Sequence, residues 1–127
     1  MNYLNELNVA ITVCDTEGNI LEMNDKSAKT FEKSGGKDLI GGNLLNCHPE
    51  PARSKLIDML NNPRTNAYTI EKNGVKKLIY QTPWYDNGVF GGLVELSMEI
   101  PFEMPHYVRK PQNQLPLNAI FYRLMPK

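Results

Sequence analysis

Residues 67–100, AYTIEKNGVKKLIYQTPWYDNGVFGGLVELSMEI, decide the fold. The run holds three sheet-forming stretches, 67–72, 75–85 and 89–100, separated by Asn73-Gly74 and by Asp86-Asn87-Gly88. An Asn-Gly pair supplies two adjacent residues that tolerate positive φ, which is what a tight hairpin needs if its strands are to keep their twist. The three stretches therefore read as an antiparallel meander. In the last of them Phe90, Val94, Leu96 and Met98 alternate with Glu95, Ser97 and Glu99, so the even positions are expected to face the core.

Working back toward the N-terminus, residues 51–61 carry Ala52, Leu56, Met59 and Leu60 on one helical face, with Arg53, Lys55 and Asp58 turned outward. Pro49 and Pro51 suit a helix start, where the missing N–H is not needed. Before this helix come a glycine pair at Gly41-Gly42, an apolar pair at Leu44-Leu45 and the adjacent Cys47 and His48. Residues 9–14 alternate, Val9, Ile11 and Val13 against Ala10, Thr12 and Cys14, and residues 19–23 return after the turn Asp15-Thr16-Glu17-Gly18. Asn24 is placed to cap a helix over 25–33, with Asp25 favourable to its dipole, Phe31 its main anchor and Ser34-Gly35-Gly36 its stop. Leu39 and Ile40 suggest one further helical turn, and Tyr3, Leu4 and Leu7 another that would act as a lid or a dimer contact.

A chain of 127 residues accommodates one ordinary domain. Fourteen basic residues offset fourteen acidic ones, which argues against nucleic acid as the main partner, since phosphate binding needs concentrated positive charge. Cys14 and Cys47 are the only cysteines, and without a disulfide framework or a secretory leader they read as reduced thiols in a cytoplasmic protein. No window approaches the roughly 20 apolar residues of a membrane helix, so no membrane partner is expected. Five of the nine prolines fall in residues 101–127, and prolines at this density forbid a long helix. The domain is accordingly placed at residues 1–100, followed by a proline-rich tail over 101–127. The apolar Ile120, Phe121, Tyr122, Leu124 and Met125 suggest that part of the tail docks on the domain or on a partner subunit.

Two strands, several short helices, a longer helix and a three-stranded meander make an α+β domain. Four pieces resemble the PAS domain, a sensor module of signalling proteins. They are the hairpin VAITVCDTEGNILEMN, whose Asp15, Gly18, Ile20 and Asn24 match the pattern D-x-x-G-x-I-x-x-x-N; the segment DLIGGNLL; His48-Pro49-Glu50 at the opening of the longest helix; and GGLVELSMEI at the close. The resemblance covers residues 8–100. It implies a five-stranded antiparallel sheet in the order 2-1-5-4-3 with short helices covering one face and a cavity between. Members hold haem, flavin or a small metabolite there, or hold nothing and act as dimerisation or docking surfaces.

The function implied is a signalling module that binds a small ligand in its core cavity or mediates protein association, as a homodimer and with a signalling partner in trans. No enzymatic activity is expected. The alternatives are a ligand-free dimerisation or docking scaffold, and a haem sensor using His48 as axial ligand. Flavin is disfavoured, because the cysteine motif of the light-oxygen-voltage subfamily continues Asn-Cys-Arg where this chain has Asn46-Cys47-His48-Pro49. The plainer reading of His48 is a turn residue bonded to backbone, and of Cys47 a small buried hydrophobe. Metal ligation is not expected, since Cys14, Cys47, His48 and His106 lack the paired spacing of a zinc site. Candidate ligand contacts are Cys47, His48, Phe31, Tyr80, Trp84 and Phe90, the last three as the meander aromatics nearest a cavity if the pleat runs regularly through Pro83.

Overall fold

The computed structural model describes residues 3–111. The elements run β1 (Ala10–Cys14), β2 (Ile20–Met23), α1 (Asp25–Thr30), three 3-10 turns (Glu32–Ser34, Gly36–Leu39 and Leu44–Cys47), α2 (Ala52–Asn61), β3 (Asn66–Lys72), β4 (Val75–Asp86) and β5 (Val89–Ile100). All five strands form one antiparallel sheet in the order β2-β1-β5-β4-β3. The opening hairpin and the closing meander meet at the seam of β1 with β5, in the register Ala10↔Ser97 to Val13↔Val94.

Both meander turns form at Asn-Gly, with φ of 53° and 76° at Asn73 and Gly74 and 50° and 81° at Asn87 and Gly88. Positive φ at both central positions is the twist-matched hairpin geometry anticipated from those pairs. Asn24 is fully buried and acts as more than a cap. Its Oδ1 accepts from Ser27 N (3.0 Å) and Ile11 N (2.9 Å), while its Nδ2 donates to Leu4 O (2.8 Å) and Val9 O (2.7 Å). One amide thus ties the N-terminal turn, β1 and α1 together, with every polar atom satisfied. The helix it starts ends at Thr30, short of the expected residue 33, and a separate 3-10 turn follows. The segment after the glycine pair covers the free edge of β2, through Ile20 N to Gly42 O (2.8 Å) and Leu44 N to Gly18 O (2.7 Å).

Two irregularities set which side chains face inward. In the β1–β2 pair, Cys14 lies opposite Ile20 and Val13 opposite Glu22, so Leu21 is an extra residue and both Ile20 and Met23 turn inward despite being three apart. In β4–β5, Tyr85 pairs with Phe90 but Trp84 pairs with Gly92, which makes Gly91 the extra residue. That bulge separates Phe90 from the later even positions and corrects the expectation for this strand. Leu93, Glu95 and Ser97 share the helix-covered face with Thr12 and Ala10, whereas Val94, Leu96 and Met98 lie on the opposite face with Val13 and Ile11.

The core is Cys14, Ile20, Met23, Leu44, Leu56, Met59 and Leu93, with Phe31, Leu39, Leu45 and Leu60 packed around it. It sits where α2 and the 3-10 turns cover β1, β2 and the start of β5. Residues 101–111 follow β5 without helix or strand, and residues 120–125, where docking was expected, lie outside the described residues.

Candidate functional site

The helices cover the concave face of the sheet unevenly. Over β3 the face is open: apart from Asn66, every residue of that strand is exposed. Between α2 and the β3–β4 pair lies a groove of about 610 Å³, with His48, Ala52 and Leu56 on the helix side and Asn66, Tyr68 and Gln81 on the sheet side. This lies within the range of roughly 300–1,000 Å³ common for small-molecule sites. A second hollow of about 200 Å³ lies beside it, where Thr30 and Phe31 look across Ile70, Ile79 and Glu95. The enclosed interior is a different matter. The void among Thr12, Ile20, Met23, Phe31, Leu39, Leu44 and Cys47 is about 10 Å³, at the limit of roughly 10–15 Å³ for one water.

The floor of the open region carries a polar file across three strands. Asn66 lies opposite Gln81, and Gln81 opposite Glu95. Asn66 Nδ2 donates to Gln81 Oε1 at 2.9 Å, and Gln81 Nε2 donates to Glu95 Oε2 at 2.7 Å. The direction of the chain follows from chemistry: an ionised carboxylate only accepts, so Gln81 must turn its NH2 to Glu95 and its carbonyl to Asn66. Gln81 is 5% exposed, and its side chain is bonded at both ends. Tyr68 stands beside this file; desolvation first, and then the charge on Glu95, push its hydroxyl above the usual tyrosine range.

His48 lines the groove, and its Nδ1 donates to Leu44 O at 2.9 Å. A carbonyl only accepts, so the neutral ring carries its proton on Nδ1 and presents a lone pair at Nε2. Cys47 and Phe31 line the small interior void, Phe31 reaching the second hollow as well. The buried thiol is Cys14, whose pKa is raised by burial, with a backbone hydrogen bond at Leu93 opposing. Among the described residues no group of three or more His, Cys, Asp or Glu side chains is placed to hold a metal ion, and no helix is long and apolar enough to cross a membrane.

The meander aromatics fall elsewhere than expected. Tyr80 pairs with Leu96 and alternates with the inward Ile79 and Gln81, so it looks away from the helices, as does Trp84. Trp84 Nε1 donates to Cys14 O at 2.9 Å, its ring lying over Gly91, where a Cβ would collide with it. Phe90 sits by the hairpin tip against Tyr85, ring centroids 6.0 Å apart. None of the three lines the groove or the hollow beside it. Tyr68, one of the meander aromatics that could line a pocket, does stand in the groove, whereas Asn66, Gln81 and Glu95 were not singled out from the sequence. The signal available was weak: in strands that also hold Lys76, Lys77, Thr82, Ser97 and Glu99, it was two polar residues, Gln81 and Glu95. Their pairing was hidden, because counting back from Asn87-Gly88 without the bulge sets Gln81 opposite Val94.

Haem can be tested against this geometry. The interior void of about 10 Å³ and the hollow of about 200 Å³ are both too small for a macrocycle, and the groove at His48 is open and floored by the amides of Asn66 and Gln81. The residues present do not fit a buried haem.

No protein-family model matches the chain, and no curated protein sequence matches it. Solved structures do. The PAS domain of the histidine kinase ThkA aligns at 18% identity with a TM-score of 0.58, over 72% of this chain and 99% of that one. The PAS domain of BvgS from Bordetella pertussis aligns at 18% identity with a TM-score of 0.57, over 97% and 91%. The Aer2 receptor of Vibrio cholerae, described as a dual PAS-heme oxygen sensor, aligns at 18% identity with a TM-score of 0.55, over 73% and 95%. At this level of identity the likeness establishes the fold: the chain is a PAS-like α+β domain.

Proposed function

We propose that this chain is a cytoplasmic sensory module that binds a small ligand in the groove between α2 and β3–β4 and passes its state to another protein, as a homodimer or with a partner in trans. It binds without turnover. The observation that carries the reading is the half-open concave face. The sheet is packed against helices over β1 and β2, yet over β3 and β4 it offers about 610 Å³ of space floored by aligned amides and a tyrosine. A face that existed only to be buried would be apolar throughout. The histidine kinase domains and the haem sensor that share the fold are sensory proteins, which favours the same class of role here.

Ligand in the groove would bridge α2 to β3 and so favour one packing of helix on sheet over another. The shift available equals the ligand's differential affinity for the two packings. The far face of the sheet, with Val13, Val94, Leu96, Met98 and Tyr80, is the proposed contact surface for a partner. The chain leaves β5 through Pro101 without a continuing helix, which favours exit through a surface.

A second reading has its own support. The enclosed void of about 10 Å³ shows a filled interior, as a ligand-free scaffold would have. Native mass spectrometry and a visible spectrum of freshly purified protein separate the two, followed by thermal-shift screening against a metabolite extract. A bound mass, or a stabilisation lost on Gln81→Leu, supports sensing. A clean apo mass with no stabilisation by any fraction leaves the scaffold.

A further inference from the structure

The open face has a chemical polarity that its volume alone does not convey. Each bond in the file from Asn66 through Gln81 to Glu95 donates in the same direction, so the hydrogen-bond chain ends on an acceptor. Only Oε2 of Glu95 is engaged by that chain. Among the described residues no cation lies within 4.0 Å of Glu95, the ion pairs between them being Lys37 with Asp25 and Arg64 with Asp58. Glu95 is nonetheless half-buried, in a hollow where Phe31, Ile70 and Ile79 stand with Thr12, Thr30 and Ser97 and with Lys72 and Lys77 farther off. At the other end of the file Asn66 Nδ2 gives one of its two hydrogens to Gln81, which leaves a second N–H and the Oδ1 acceptor at the groove.

A half-buried carboxylate with one oxygen left over by the file, beside the apolar faces of Phe31, Ile70 and Ile79, calls for a ligand that brings hydrogen-bond donors and positive charge on an apolar body. Resting on the sensory reading above, we infer that the groove and its adjoining hollow take a small organic ammonium compound, its cation on Glu95 Oε1 and its apolar body against Phe31, Ile70 and Tyr68. A carboxylate partner in a half-buried site is worth more than in water, and the ring faces of Tyr68 and Phe31 favour a cation as well. Desolvation is the main cause of the raised Tyr68 hydroxyl pKa, and the charge of Glu95 adds to it from across the same face. Lys72 and Lys77 line the same hollow without pairing to Glu95. They are positioned for a second, anionic group, so the ammonium compound is a simple amine or an amino acid.

Isothermal titration with three probes of common shape tests this: 2-phenylethylamine, L-phenylalanine and 3-phenylpropionate, each against the wild type and Glu95→Gln. The substitution keeps the size and an acceptor for Gln81 while removing the charge, and its melting temperature reports that the fold is retained. Expected is binding of one or both ammonium probes that weakens about tenfold or more in Glu95→Gln. Phenylalanine binding more tightly than the amine, with the excess lost in Lys72→Ala/Lys77→Ala, also supports the site and identifies the amino-acid form. Tighter binding of phenylpropionate, ammonium binding indifferent to Glu95, or no binding of either ammonium probe overturns the inference. The sensory reading survives those outcomes and fails separately, on the clean apo mass and unresponsive extract described above.

Discussion

The two halves of the concave face obey different rules. Toward β2 the inward side chains are Cys14, Ile20 and Met23, closed by Leu44, Leu56 and Met59 with about 10 Å³ left over, while Ala10 and Thr12 of β1 border the hollow. Over β3 and β4 the inward positions are Asn66, Tyr68, Ile70, Ile79 and Gln81, and about 610 Å³ beside α2 stays open. The same sheet and the same longest helix serve both. The contrast teaches that α2 stabilises the domain with one stripe, Leu56 and Met59, while Ala52 and Ser54 line the groove and Leu56 borders both. Apart from Leu56, stability and recognition on α2 fall to separate residues, which makes the division open to experiment.

The largest effect is expected where the halves are joined. A Cβ at Gly92, whose φ is 144°, would collide with the backbone of Cys14 at the end of β1 and of Asp15 just after it. Gly92→Val should therefore prevent the β1–β5 pairing and yield no cooperatively folded protein, read by circular dichroism and a melting curve. A well-folded Gly92→Val protein would mean that the seam is not what holds the halves together.

Next in size is the contrast itself. Met59 is fully buried, and Met59→Ala should cost about 2–5 kcal/mol in urea unfolding. Ile70→Ala on the open half, where Ile70 is 39% exposed, should cost well under half of that. Equal losses would erase the proposed division. Trp84→Phe removes the indole donor to Cys14 O and should cost about 1–3 kcal/mol while leaving ligand binding in the groove unchanged, since Trp84 lies on the far face.

The smallest effect is on pH dependence, and it belongs to the packed half. Burial would raise the Asp15 carboxyl, but hydrogen bonds from the Asn19 side chain and from the backbone N–H groups of Asn19 and Glu17 prevail, and its pKa is lowered. A lowered folded-state pKa gives stability that is fully present above the unfolded value of about 3.9 and is lost as pH falls through the folded value. Asp15→Asn should therefore flatten the stability profile below about pH 4 and leave its shape near neutrality alone, as denaturant midpoints across that range would show.

Much of the architecture could be read from local chemistry. The Asn-Gly turns, the capping Asn24 and the stripe of Leu56 and Met59 are local or nearly local properties, whereas the order of the five strands, which joins β1 to β5, came only from the resemblance to the PAS domain. The site was less legible. His48 does stand in the groove and Phe31 in the hollow beside it, but Tyr80, Trp84 and Phe90 were expected near a cavity on the assumption of a regular pleat. The pleat does run regularly through Pro83 but sets Tyr80 and Trp84 on the far face, and the inserted Gly91 reverses the relation between position and face along β5.

From its own residues the chain determines where strands and helices begin and end, because capping, turn formation and amphipathic spacing depend on neighbours a few positions away. Which side of the sheet each strand residue faces, and that Asn66, Gln81 and Glu95 fall in line across three strands, was decided only in the folded molecule. A bulge has no strong local signature: it arises where a ring as large as that of Trp84 must cross a neighbouring strand to reach the carbonyl of Cys14, and that requirement exists only once residues 70 positions apart have met.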